Sequence, residues 1–203
     1  SQRGSFGDIA ASSFGGMVYY TSPDRSSLLE QLQNQSIKAI CDADWKDLTI
    51  ERLPEIPDFT LLVGWTGQVA ITDSLIQATE KKRKVETDSA FYKEFLKKSH
   101  AIVQGLQSAW NNQDIPALQE GIRSNRALLN EFAQVMQLEI ETPALQTLCD
   151  LAEQNGACAK TSGAGGGDCG ICFTQNETQR QQIETQWAKA QIQVLPLSIA
   201  EAW

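Results

Sequence analysis

Apolar residues recur three and four positions apart over two long stretches of the 203-residue chain, and each stretch predicts an amphipathic helix. In the first, Phe91, Phe95, Ile102, Leu106 and Ala109/Trp110 share one face, and His100, the only histidine, reads as a structural member of the same helix. In the second, Leu118, Ile122, Asn125, Leu129, Phe132 and Met136 form a stripe interrupted by one amide. A buried amide needs a hydrogen-bond partner, so Asn125 either satisfies neighbouring backbone, the favoured reading, or faces a cleft. Thr142-Pro143 opens a third helix, a capping residue followed by proline in the first turn, running through Leu145, Leu148 and Ala152 to Gly156. Further helices are expected after Asp8, over Ser26–Gln35, from Asp73 to about Lys81, and over the glutamine-rich Asn176–Ala190. Strands are expected at Met17–Thr21, Ile37–Ala43, Leu48–Leu53, Phe59–Val63, Ala157–Ala159, around Ile171, and over Ile192–Ile199, broken by Pro196. The sum is an α+β protein, an antiparallel sheet with helices on one face.

Between two of those short strands lies Lys160-Thr161-Ser162-Gly163-Ala164-Gly165-Gly166-Gly167-Asp168-Cys169-Gly170, with five of the chain's 14 glycines. Glycines this dense cost much backbone entropy on folding, so they would make a poor spacer between ordered elements. They do let main-chain N–H groups approach an anion closely, with Ser162 adding a hydroxyl, and a phosphate-holding loop is the leading reading. A glycine-rich hairpin linker is the bland alternative. No Gly-Lys-Ser/Thr follows, as a P-loop requires, and a strand follows where a dinucleotide fingerprint needs a helix. Asp8 sits where a short helix begins, either as its cap or as a carboxylate kept ionised by the helix N-terminus. Gly64-Trp65-Thr66-Gly67 follows a core strand and is either a ligand-binding turn or a turn carrying a packed Trp.

A net charge of −8 argues against nucleic acid as a partner. It also means that phosphates must be handled by backbone dipoles, a few placed cations and Mg²⁺. No run of about 18 apolar residues exists, so no membrane span is expected. Five scattered cysteines suit reduced thiols and a cytoplasmic location better than a disulfide framework. Cys169-Gly170-Ile171-Cys172 would need to open a helix to act as a redox pair, or a second pair to hold zinc, and neither is in view. The basic run within Glu80–Lys84 reads as a solvated face or loop. The chain opens inside a Gly/Ser motif with no initiator Met, as a segment of a longer polypeptide would.

Taken together and in order, three stretches resemble the GHMP kinase superfamily. Lys160–Gly170 is similar to its third motif, and Gly4-Ser5-Phe6-Gly7-Asp8-Ile9-Ala10-Ala11-Ser12 to the segment carrying its catalytic aspartate. Gly64-Trp65-Thr66-Gly67, Gly166-Gly167-Asp168-Cys169-Gly170 and Asn125-Arg126-Ala127-Leu128-Leu129 with Glu141-Thr142-Pro143 resemble most the phosphomevalonate kinases within it. The resemblance implies a ferredoxin-like C-terminal domain over residues 58–203 and, over 1–57, the remainder of an N-terminal domain with the catalytic aspartate. The family's first two motifs are expected upstream of Ser1, so the chain reads as an N-terminally truncated fragment whose activity requires the preceding part. After Gly67 the family tends to carry Pro-Ala-Ser-Thr, whereas Gln68-Val69-Ala70-Ile71-Thr72 stands here.

The implied reaction is phosphoryl transfer from ATP to 5-phosphomevalonate with Mg²⁺, giving 5-diphosphomevalonate; the alternatives are a mevalonate kinase, a diphosphomevalonate decarboxylase or an inactive folded fragment. Asp8 is the implied catalytic carboxylate. Ser162, Gly163, Ala164, Gly165, Gly166 and Gly167 would supply phosphate-binding amides, with Asp168 ending the loop. Ser5, Thr66, Gly67 and Asn125 are implied substrate neighbours. Arg3, Arg126 and Lys160 are the cations implied for the substrate's phosphate.

Overall fold

The computed structural model describes residues 5–68, 89–163 and 165–200, and the helix expected at Asp73–Lys81 lies outside them. The chain divides into two compact units, Ser1–Glu55 with Ile199–Trp203, and Ile56–Ser198.

In the first unit, helix α1 (Gly7–Phe14) precedes strand β1 (Met17–Thr21). Gly15 and Gly16, at φ 64° and 65°, make the reversal between them in a region that costs glycine little. β1 pairs antiparallel with β2 (Thr49–Leu53), Met17 opposite Leu53 and Thr21 opposite Thr49. Helix α2 (Arg25–Asn34) is capped by Asp24, whose Oδ1 accepts the Ser26 and Ser27 N–H groups at 3.0 and 3.2 Å. The expected strand at Ile37–Ala43 is instead a short helix, α3 (Ile37–Cys41). Ser36 Oγ accepts the Ala39 N–H at 3.2 Å, and this cap outweighs the β-like composition of the apolar run.

In the second unit, strands β3 (Thr60–Trp65), β4 (Cys158–Thr161), β5 (Cys169–Thr174) and β6 (Gln193–Leu195) form an antiparallel sheet in the order β4-β5-β3-β6. β3 runs two residues beyond the expected Val63, so Gly64 is a strand residue and not part of a turn. Gly64 lies opposite Gly170 of β5. A Cβ at either would press to 2.8 or 2.6 Å from Leu148, and at Gly64 also to 2.8 Å from Trp187. These two glycines let the helices α6 (Pro143–Gln154) and α7 (Glu177–Lys189) settle directly on the strands. Leu148, Cys149, Ala152, Ile183 and Trp187 pack there on Leu62, Ala159 and Cys172, and the buried Trp187 Nε1 donates to the Leu148 carbonyl at 3.0 Å.

Before them stand two 22-residue helices, α4 (Ala90–Asn111) and α5 (Ile115–Met136). Phe95 stacks on Phe132 at 4.3 Å between ring centres, and the missing side chain at Gly121 makes room for Leu106. The stripe on α5 is buried at Leu118, Ile122, Phe132 and Met136 as expected, but Leu128 takes the place assigned to Leu129. Trp110, at the end of α4, meets Phe59 and Phe173 edge-on at 5.8 Å each. His100 is exposed on α4.

Candidate functional site: a glycine-rich hairpin loop

β4 and β5 form a hairpin closed by the Ser162 N–H, which donates to the Cys169 carbonyl at 2.9 Å. Within the loop Gly163, Gly165, Gly166, Gly167 and Asp168 take φ values of 62°, 75°, 81°, 119° and 63°. A run of positive φ explains the composition, since these conformations are ordinary for glycine and costly for other residues, Asp and Asn being the best tolerated. Ala164 lies outside the described residues.

Three neighbours hold this backbone. The Gly166 N–H donates to the Ile140 carbonyl at 2.8 Å, and a Cβ on Gly165 would collide with that same carbonyl oxygen. The Asp168 N–H donates to the Gln68 carbonyl at 2.8 Å. The Asp168 carbonyl accepts twice from Thr66, from its N–H at 2.9 Å and its hydroxyl at 3.0 Å. Thr66 therefore shapes the loop with both donors, while Gly67 beside it is exposed at φ 76°.

The cradle is accordingly narrower than the sequence suggests. Ser162 and Gly166 spend their N–H groups within the fold. The N–H groups of Gly163, Gly165 and Gly167, and the Ser162 hydroxyl, donate to no other described residue. Such a set suits an acceptor-rich, negatively charged group.

Of the three implied cations, Arg3 lies outside the described residues. Arg126 is fully engaged elsewhere. Only 12 % of its side chain is exposed, and it meets Glu141, Asp150 at 2.7 Å and Glu153 at 2.9 Å. The contact with Glu141 is two-pronged, through Nε at 2.9 Å and Nη2 at 2.6 Å. Burial opposes the charged guanidinium, but the bonds to Glu141, Asp150 and Glu153 outweigh it and hold Arg126 above the ordinary arginine range. A guanidinium answering three carboxylates is not an open phosphate ligand, and the expectation for Arg126 is corrected to an internal ion-pair hub.

Lys160 is different. It is partly buried on β4, its Nζ donates to the Thr161 carbonyl at 2.8 Å at the base of the loop, and no carboxylate among the described residues pairs with it. Burial pulls its ammonium below the ordinary lysine range, and an anion nearby would oppose that shift by favouring the charged form. Asn125 is half-buried on α5, and its amide bonds no other described residue. Glu141 and the Ile140 carbonyl were not legible as parts of the loop's support. The nearest signal is Gly165, a glycine demanded by a wall 25 residues away in sequence.

In the first unit, Phe6 caps α1 in the left-handed conformation with no side-chain bond, which leaves Asp8 in the first turn and not at the cap. Its carboxylate is exposed and bonds no other described residue; only its carbonyl is used, by Ser12 Oγ at 2.8 Å. The segment is anchored by Tyr20, whose hydroxyl donates to the Ser5 carbonyl at 2.7 Å, while Ser5 Oγ accepts the Gly7 N–H at 3.4 Å.

Cys169 and Cys172 lie three apart on β5, so their side chains leave opposite faces of the sheet. Burial pushes both thiols up, and all five cysteines are free. That is the reverse of a low-pKa redox pair.

Residues 102–193 match the family model described as GHMP kinases C terminal. Over these residues the chain belongs to the GHMP kinases. The chain is 36 % identical over 200 residues to a phosphomevalonate kinase of Streptomyces sp. (strain CL190), covering 98 % of this chain and 53 % of that protein. Its fold is similar to a Lin0012 protein from Listeria innocua, at a TM-score of 0.92 and 33 % identity, covering 98 % of this chain and 56 % of the other. It is similar also to Streptococcus pneumoniae phosphomevalonate kinase in complex with phosphomevalonate and AMPPNP, at 0.80 and 27 %, with the same coverage. The chain thus spans about half the length of the relatives it matches, and the fold of both units is GHMP-kinase-like, mixed α+β with antiparallel sheets. The glycine-rich hairpin lies in the region matched to the GHMP kinases, with Ile140, Glu141 and Arg126 behind it. No helix among the described residues is long and apolar enough to cross a membrane.

Proposed function

We propose that the protein carrying this chain is a phosphomevalonate kinase, which transfers the γ-phosphoryl group of ATP to 5-phosphomevalonate and releases ADP and 5-diphosphomevalonate, a step of isoprenoid synthesis. The observation that carries the reading is the hairpin loop in which the N–H groups of Gly163, Gly165 and Gly167 bond no other described residue while Ile140, Gln68 and Thr66 hold its shape. Identity to a phosphomevalonate kinase along 98 % of the chain supports that acceptor over mevalonate.

The chemistry asks for little proton transfer. A phosphate monoester is largely dianionic at neutral pH, so an acceptor oxygen attacks the γ-phosphorus directly, the bond to the β,γ-bridging oxygen breaks, and its electron pair leaves with ADP. What the protein must supply is alignment and compensation of charge. The loop amides and the Ser162 hydroxyl hold a phosphoryl group, Lys160 adds positive charge near the base of the loop, and Asp8 is the carboxylate that orients the reacting groups. Ser5, Gly67, Asn125 and Arg3 stand as further substrate neighbours. Mg²⁺ accompanies ATP; it is usually held by one or two carboxylates and the nucleotide's own phosphates.

The intact protein should convert phosphomevalonate and ATP to ADP and a diphosphate product visible by ³¹P NMR, with mevalonate turned over at least about 100-fold less efficiently, because amides built for a phosphate are left unpaired without one. Comparable turnover of mevalonate, or of mevalonate alone, would reassign the acceptor.

A further inference from the structure

The loop's shape depends on a residue that touches no substrate in the scheme above. We infer that Glu141 is a positioning residue for the glycine-rich loop, fixing through the backbone of Ile140 the carbonyl on which Gly166 hangs. Arg126 grips both carboxylate oxygens of Glu141, and Asn130 Nδ2 donates to Oε2 at 3.1 Å. The side chain is 8 % exposed, so the grip operates away from the screening of water. Immediately after it, Thr142 starts α6, its Oγ1 accepting the Leu145 N–H at 3.4 Å. Residue 141 is therefore pinned on one side by α5 and on the other by the start of α6. Ile140, one peptide earlier, has little freedom left, and its carbonyl accepts the Gly166 N–H at 2.8 Å against the flat face that Gly165 provides.

The consequence is an ion pair that sets loop geometry rather than stability alone. Arg126 has two other partners, Asp150 and Glu153, both on α6 and neither adjacent to Ile140. They provide an internal control, because losing either weakens the same guanidinium cluster without loosening residue 140.

The inference rests on the kinase reading only for its activity readout. In the ¹⁵N-labelled intact protein, Glu141→Gln should shift the amide resonances of Gly165, Gly166 and Gly167. It should also speed hydrogen exchange at the Gly166 amide about 5-fold or more. With it, kcat for phosphomevalonate should fall about 10-fold or more, since small displacements of a positioning group are costly, while the ATP KM changes less. Asn130→Ala, a milder change, should move the same resonances in the same direction. Glu153→Gln should leave loop resonances and kcat within twofold of the parent. The inference is overturned if Glu141→Gln leaves the Gly166 resonance and exchange rate unchanged, or if Glu153→Gln disturbs the loop equally. If the loop responds as described but the parent does not turn over phosphomevalonate, the positioning role stands and the kinase reading falls.

Discussion

Asp8→Asn is expected to lower kcat of the intact protein about 10²-fold or more, the usual scale for removing one placed electrostatic group from a phosphoryl-transfer site. The structure makes this substitution clean. Asp8 is exposed in the first turn of α1, its carboxylate bonds no other described residue, and Asn keeps its size. The only folding role left is its favourable place near the helix N-terminus, worth up to about 1 kcal/mol. The thermal transition should therefore shift little while turnover collapses, and the loss should lie in kcat rather than in the KM for ATP. Turnover within threefold of the parent would remove Asp8 from the reaction.

Arg126→Met should do the opposite, costing stability first. It removes the cation that, among the described residues, answers Glu141, which is 8 % exposed, along with Asp150 and Glu153. Breaking a buried ion pair by deleting one member typically costs about 3–5 kcal/mol, because the remaining charge stays buried without a counter-ion. Most of that loss belongs to Glu141; Asp150, 44 % exposed, keeps its hydration and contributes little. Denaturant unfolding of the variant should show the loss in the midpoint, and the double variant Arg126→Met/Glu141→Leu should recover most of it, since replacing a pair by apolar groups is often near neutral. A loss under about 1 kcal/mol in the single variant, combined with a raised KM for phosphomevalonate, would return Arg126 to the role of an open phosphate ligand.

Much of the second unit is legible from local pattern. The three- and four-residue spacing on α4 and α5 and the Thr142-Pro143 start of α6 each act within one or two turns, so the sequence carries them directly. Where a short apolar run stood alone, as at Ile37–Cys41, composition favoured a strand and the Ser36 hydroxyl decided for a helix. The glycine-rich loop was legible as a place of close backbone approach. Which amides remain free was not, because Gly166 is answered by Ile140 and Asp168 by Gln68 across the fold. Arg126 was misjudged for the same reason: Glu141, Asp150 and Glu153 lie 15, 24 and 27 residues away, and no local spacing announces their convergence.

The account turns on a phosphate-bearing ligand meeting main-chain N–H groups of the β4–β5 loop. Adding phosphomevalonate and AMPPNP to the ¹⁵N-labelled intact protein tests this directly. The account predicts saturable shifts at the amides of Gly163, Gly165 and Gly167, larger than those at Ser162 and Gly166, whose protons are already bonded within the fold. Binding that shifts resonances elsewhere and leaves those three glycines unmoved would contradict it.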